Sequence, residues 1–275
     1  MSGVGVDPVL YSKYHHLQER DVNDFLHVSA SFLNWGNLTN KVVMDVGCGP
    51  GNTSSSWFLT IFPAVKRLIA IDVQEEMINL AKVLNPQPKI EFMIADISDE
   101  ASVECWEGTI NKVISTWCFQ FIKDQHKSFR NVYNLLKPGG EAAILFEINS
   151  SYHVCYEEIT KSQKWHKILE SKAGEYPEIY TKNVDAAHFK QLLVGLGFNV
   201  VLCTKKQKSF VFSSDDDCIG YALSMFAWHK RVPDELMEEF RRDLLEEFSK
   251  YGGRDSHGRI TVHYNLMNIL VKKPS

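Results

Sequence analysis

The sequence predicts a doubly wound α/β fold: a mostly parallel, seven-stranded sheet with a helical cap. Three observations point there. Short, nearly all-apolar runs recur through the first half of the chain, the pattern of strands buried on both faces. Amphipathic segments separate these runs at the spacing of βα units, which a parallel sheet requires. Acidic residues close three of the runs, at Asp45, Asp72 and Asp96. In such a sheet these acids gather at the carboxyl ends of the strands, where ligands of open α/β sheets bind.

Residues 8–36 read as helical, because Leu17, Val22, Phe25, Leu26 and Leu33 recur at near-helical spacing behind Tyr11 and Tyr14. Lying before the first strand, this segment would cross an edge or the top of the sheet. Val42–Val46 is the first strand. Residues 53–62 form a helix that Pro63 stops, since proline has no amide hydrogen to give. Arg67–Asp72 is a second buried strand, 74–84 an amphipathic helix through Met77, Ile78, Ala81 and Leu84, and 90–96 a third strand. The fourth strand is 112–116 and the next helix 126–136. Lys137-Pro138-Gly139-Gly140 reads as a sharp turn into a fifth strand at 141–146.

Beyond Phe146 the pattern loosens. Residues 150–171 are mixed, 185–196 a helix and 198–204 a strand, with 208–212 either a short strand or its continuation. Helices at 217–230 and 234–250 precede a closing strand at 260–271. The second carries Leu236, Phe240, Leu244, Leu245 and Phe248 on one face. With no repeat, low-complexity tract or linker, the chain reads as a single domain over 1–275. Its N-terminal helical cap covers about 1–36, and a cap insertion at about 213–255 would roof the crevice.

The functional signal follows the first strand, in Asp45-Val46-Gly47-Cys48-Gly49-Pro50-Gly51-Asn52. Glycines let a ligand approach bare backbone, and the polar run 52–56 supplies capping groups for the next helix. A dinucleotide fingerprint wants its third glycine three positions after the second; counted from Gly49, that position is Asn52. No Lys-Ser/Thr pair follows the glycines, which excludes a P-loop. The pattern present, D-x-G-x-G-x-G at the end of a first strand, resembles motif I of the class I S-adenosylmethionine-dependent methyltransferases. Charge agrees. Asp45 suits a ligand carrying ammonium and sulfonium, and would repel a pyrophosphate.

Asp72 falls 21 positions after Gly51 (72 − 51) and is placed to accept both hydroxyls of a ribose, with Val73 beside it. Asp96 with Ile97 resembles the pair of that class in which an acid meets the adenine amino group and an apolar neighbour packs the ring. Gly47, Cys48, Gly49 and Gly51 complete the expected cofactor set. After the fourth strand, Trp117-Cys118-Phe119-Gln120-Phe121 gives the crevice an apolar, aromatic mouth, suited to a hydrophobic small molecule.

Composition sets the remaining bounds. Formal net charge is −4, with 44% hydrophobic and 23% charged residues, so no broad positive field draws nucleic acid. The six cysteines show no C-x-x-C pairing or zinc-ligand spacing, so free thiols and no metal are expected. The start of the chain has no basic-then-apolar signal, and no run is long enough to span a membrane. The expected setting is cytoplasmic.

A narrower resemblance covers nearly the whole chain. Tyr14, Gln18, Arg20 and Asp21, then Cys118-Phe-Gln-Phe-Ile-Lys-Asp-Gln125, Leu136-Lys-Pro-Gly-Gly140 and Lys230-Arg-Val-Pro-Asp-Glu-Leu236 are similar to the arthropod juvenile hormone acid O-methyltransferases. The resemblance implies esterification of a farnesyl-type acid, with Gln18 as one donor to its carboxylate. The family's companion donor, an indole, falls at Phe121, and its histidine at Gln120. A phenyl ring donates no hydrogen bond, so Gln120 or Trp117 stands as the substitute, or the acceptor is a different one. Such an acid is already ionised at neutral pH, so no general base is required. His15, His16, His126 and His229 accordingly read as surface or packing residues.

Overall fold

The computed structural model describes residues 6–33, 35–169, 178–180, 184–225 and 227–275. In chain order come α1 (Pro8–Tyr14), α2 (His16–Phe32), β1 (Val42–Val46), α3 (Leu59–Ile61), β2 (Arg67–Asp72), α4 (Glu75–Leu84), β3 (Ile90–Ile94), α5 (Glu100–Val103) and β4 (Ile110–Thr116). Then follow α6 (Gln125–Leu135), β5 (Leu136–Ser150), α7 (Ser151–Lys161), α8 (His166–Leu169), α9 (Ala186–Gly195), β6 (Asn199–Val211), α10 (Asp215–Met225), α11 (Met237–Gly252) and β7 (Thr261–Lys272).

The seven strands form one sheet in the order β3-β2-β1-β4-β5-β7-β6. The first five run parallel, and β7 is antiparallel to both β5 and β6. Strand order reverses between β1 and β4. The loops leaving those two strands therefore part at their carboxyl ends and open a crevice, as doubly wound sheets do at a switch point. Side-chain alternation assigns the two faces. Val43, Leu68, Ala70 and Ile114 pack with Leu17, Phe25 and Leu26 of α2 and with Phe58. Met44, Val46, Ile69 and Ile71 pack on the other face with Phe129 and Val132 of α6 and Phe189 of α9. Among the described residues, no helix is long and apolar enough to cross a membrane.

Several expected boundaries move, each for a local reason. The helix expected over 8–36 breaks at His15, whose backbone (φ −94°, ψ 26°) leaves the helical range; Asp7 caps α1 by accepting from the amides of Val9 and Leu10. The helix after the glycines begins as one π-turn, Thr53–Phe58, before α3. The segment at 137–140 is no free turn. β5 runs through it, with a register shift against β4 between Ile110 and Lys112, and Gly139 takes φ +71°. β6 is one strand through Val211, because β7 pairs with it up to that residue, and Phe212 falls just outside it. The mixed 150–171 region contains α7 and α8, and 217–230 divides into α10 and a 3₁₀ turn, Ala227–Arg231. Helix α10 packs on α1, whereas α11 packs on α7.

Candidate functional site

The crevice at the switch point is a cavity of about 690 Å³, within the range of small-molecule sites. Its floor is the glycine loop, Gly47, Cys48, Gly49 and Pro50, and the ends of β2 and β4; its cover comes from Val6, Tyr11, His15, Gln18 and Val22, with Met225 from α10. Gly49 takes φ +53°, and a Cβ built there would meet only the Tyr11 ring, at 3.9 Å. The backbone thus lies bare towards the cavity. Gly51 serves another purpose: it does not line the cavity, takes φ +83°, and leaves no room for a Cβ, which would stand 2.8 Å from the Phe92 ring.

The loop's amides say what it can hold. Gly47 and Cys48 both donate to the Ile71 carbonyl, at 2.8 and 3.0 Å. Gly49 donates to Asp72 Oδ2 at 3.0 Å, and Gly51 to the Cys48 carbonyl at 3.1 Å. These are the donors that would cradle a phosphate, and they are already engaged.

Asp72 lines the cavity at the end of β2, where its two oxygens accept from the amides of Gln74 and Gly49. A carboxylate has about four acceptor positions, so both oxygens retain capacity for ribose hydroxyls. Burial raises its pKa against those two stabilising bonds. Val73 and Ile97 also line the cavity, beside Ala95 and Ser98.

Two expected acids do not. Asp45 shares the Val43 face of β1 by strand alternation and is 1% exposed beneath the π-turn, where Ser54 Oγ donates to it at 2.5 Å. Burial pushes its pKa up to about 6. Of the three expected acids, only Asp72 lines the cavity. Asp96 accepts from the Ser98 amide and hydroxyl and is not a lining residue.

At the opposite wall stand Gln18, Trp117 and Phe121. Gln18 is 2% exposed; its Nε2 reaches only Met225 Sδ, at 3.5 Å, and its Oε1 has no partner among the described residues. Trp117 is held in the left-handed region (φ +55°), and its buried indole Nε1 has no acceptor among the described residues. Such a backbone costs an L-residue free energy and clusters at functional sites. Gln120, expected as a possible substitute donor, does not reach the cavity. It is fully buried with its Nε2 donating to the Trp117 carbonyl at 2.9 Å, so it holds the Trp117 backbone in place.

Residues far apart in sequence fix this wall. Tyr264 donates to buried Asp21 at 2.6 Å, one helical turn from Gln18, and its ring lies 5.9 Å from that of Trp117. Arg20 and Lys208 both pair with Asp21, at 3.1 and 3.2 Å. The Arg20-Asp21 pair of the N-terminal signature thus anchors α2 to β6 and β7. Sequence reasoning missed Tyr11, His15 and Met225 as lining residues. His15, read as a surface or packing residue, is 4% exposed and faces the cavity because α1 and α2 part at its backbone. No metal-binding cluster of three or more His, Cys, Asp or Glu occurs among the described residues.

Residues 44–144 match the family model described as a methyltransferase domain. Over 239 residues the chain is 26% identical to juvenile hormone acid O-methyltransferase of Bombyx mori, covering 86% of this chain and 84% of that protein. It is 32% identical over 115 residues to a tRNA N(3)-methylcytidine methyltransferase of Schizosaccharomyces pombe, covering 36% of this chain and 34% of that one. Haemonchus contortus phosphoethanolamine N-methyltransferase 2, solved with S-adenosyl-L-methionine, superposes with a TM-score of 0.52 at 16% identity, covering 92% of this chain and 53% of that chain. The matched segment and the fold are those of a class I methyltransferase, and the cofactor of that class is S-adenosylmethionine. The site fits it: Asp72 stands ready for ribose, apolar Val73 and Ile97 for adenine, and the loop offers bare backbone with no free phosphate cradle.

Proposed function

We propose that this chain transfers the methyl group of S-adenosylmethionine to the carboxylate of an apolar small-molecule acid, of the juvenile hormone acid or farnesoic acid kind, giving a methyl ester. The observation that carries this is the pair Gln18 and Trp117: both are buried and line one cavity, and among the described residues Trp117 Nε1 has no acceptor and Gln18 Nε2 meets only the weak acceptor Met225 Sδ. A buried donor without a partner costs about 1–3 kcal/mol, which a ligand carboxylate accepting from Trp117 Nε1 would recover, while the same carboxylate is a stronger acceptor for Gln18 Nε2 than the Met225 sulfur. The silkworm relative, aligned over most of both chains, supports the same acceptor class. Negative net charge and an enclosed, largely apolar wall favour a small acceptor over a nucleic acid.

When bound, the cofactor supplies a methyl group made electrophilic by its sulfonium. The protein's residues do the rest by position. An acid with a pKa near 4 arrives ionised, so no side chain has to remove a proton. Gln18 Nε2 and Trp117 Nε1 hold one carboxylate oxygen and leave the other to attack in line. The Trp117 backbone is clamped on both sides, its amide on the Leu145 carbonyl at 2.8 Å and its carbonyl on Gln120. Val6, Val22, Phe121 and Met225 offer an apolar wall to the hydrocarbon and keep water from the nucleophile. Phe121 contributes contact area here, not a hydrogen bond.

A labelled-methyl assay against fatty, terpenoid and small dicarboxylic acids tests the proposal. The expected product is a base-labile ester of an apolar acid. Gln18→Ala should lower kcat/KM roughly 10- to 100-fold, the loss of one charge-assisted hydrogen bond, with cofactor affinity intact. A base-stable product, no turnover with any acid, or full activity in Gln18→Ala would each overturn it.

A further inference from the structure

His15 is held at Nε2 from two sides, and its other ring nitrogen is buried without a partner among the described residues. Its Nε2 lies 3.2 Å from Glu19 Oε1 and 3.2 Å from Asn52 Nδ2. Asn52 is itself oriented, since its Oδ1 accepts from Asn85 Nδ2 at 3.3 Å and so turns its own NH₂ to the imidazole. The ring is stacked on Tyr11 with centroids 5.3 Å apart and planes 21° apart. Tyr11 in turn passes over Gly49. The remaining nitrogen, Nδ1, is buried with no partner among the described residues.

The partners decide what Nδ1 offers. With Nε2 accepting from Asn52, the ring proton of a neutral imidazole resides on Nδ1. With the ring doubly protonated, Nε2 donates to Glu19 and Nδ1 still carries a proton. In either of these states Nδ1 is a donor, on a ring that lines the cavity, and it wants an anion or another acceptor. Asp72 fixes the nucleoside end of a bound cofactor at β2 and β3, on one side of the loop. The amino-acid end must leave by the other side, beneath Tyr11 and His15.

We propose that His15, held by Glu19 and Asn52, is a positioning residue that donates from Nδ1 to the α-carboxylate of S-adenosylmethionine. This rests on the cofactor assignment and not on the identity of the acceptor. His15 and Gln18 are three residues apart on one turn, so a single helical turn reads both the cofactor's tail and the acceptor's carboxylate. That linkage fixes the distance between the two reactants.

Calorimetric titration separates the possibilities, with S-adenosylmethionine, S-adenosylhomocysteine and 5′-methylthioadenosine, which has the nucleoside but no amino-acid end. His15→Ala should weaken the first two about 10- to 100-fold, the range of one hydrogen bond to a charged group, and leave 5′-methylthioadenosine unchanged. His15→Asn, whose amide nitrogen stands close to the position of Nδ1, should restore most of the loss; His15→Gln, which mimics Nε2, should not. Equal weakening of all three ligands would mean a structural role and overturn the proposal. So would unchanged affinities with slower methyl transfer, which would place His15 on the acceptor side as a base. If the unaltered protein bound none of the three, the cofactor assignment itself would fall, a result distinct from the other two.

Discussion

The two ends of β5 each bury a glutamate, and the protein treats them in opposite ways. Glu141, near the strand's start, is 3% exposed and surrounded by donors: Lys112, Lys272 at 2.8 Å and Trp35 Nε1 at 2.9 Å. Those partners pull its pKa below the usual range against the penalty of burial. Glu147, near the carboxyl end, is 2% exposed with Tyr180 Oη at 3.4 Å and His153 Nε2 at 3.7 Å. Burial, with the Asp21 charge adding to it and the Ser150 and Tyr180 hydrogen bonds opposing it, drives its pKa up to about 8, and burial takes that of His153 down to about 3, so the two face each other uncharged at neutral pH. Asp45 and Asp72, at the same end of the sheet, are raised by burial as well. The amino end of the sheet is neutralised and contributes to stability. The carboxyl end concentrates acids with no lysine or arginine partner among the described residues, the setting a cationic ligand completes.

The amino end should show the largest single effect. Glu141→Gln leaves Lys112 half in the interior without a counter-charge, and breaking such a pair costs roughly 2–4 kcal/mol. Urea denaturation at pH 7 should register that loss with cofactor affinity unaltered; a change under about 0.5 kcal/mol would mean the pair behaves as a surface one. At the carboxyl end the effect should move from stability to binding. If Asp72 is the ribose acceptor, Asp72→Ala should weaken S-adenosylmethionine about 100-fold. Because it also frees the Gly49 and Gln74 amides, Asp72→Asn is the companion, expected to lie between the alanine variant and the native residue. Equal affinity in all three would end the ribose assignment and, with it, the functional half of the contrast.

How much of this was legible in the sequence follows the same division. Strands β1 to β4, the loop glycines and Asp72 depend on contacts within a few residues or on one βα unit, and local pattern reveals them. Gly51 illustrates the limit even there: its spacing marks it as a ligand glycine, yet its space is taken by Phe92. Asp45 illustrates another, because a strand-end acid can tuck under the following turn as readily as face the crevice. The acceptor wall was harder. Gln18, Trp117 and Met225 line one wall while Asp21 meets Tyr264 and Lys208 across 243 and 187 residues of chain, and periodicity carries no record of such pairings. His15 was hidden by a continuous helical pattern. A buried helix break leaves no composition signal when neither glycine nor proline makes it.

Glu147 offers the finest test of the contrast, because its effect depends on pH with a definite sign. In the unfolded chain a glutamate ionises near 4.3; in the fold it does so at about 8. Between those values the native state binds a proton the unfolded state has released, so native stability falls as pH rises through the window. Glu147→Gln removes the group that titrates and keeps a side chain able to meet Tyr180 and Ser150. The variant should therefore match the native protein near pH 4 and exceed it by roughly 5 kcal/mol at pH 8.5. Comparing the two at each pH cancels the opposite contribution of His153, which is common to both. A difference that stays flat across the window would mean Glu147 is ionised in the fold by a counter-charge; a native protein more stable at high pH would mean the same more strongly. Cofactor affinity at pH 7 should not move, because the carboxylate facing the cavity is Asp72 and Glu147 is already neutral.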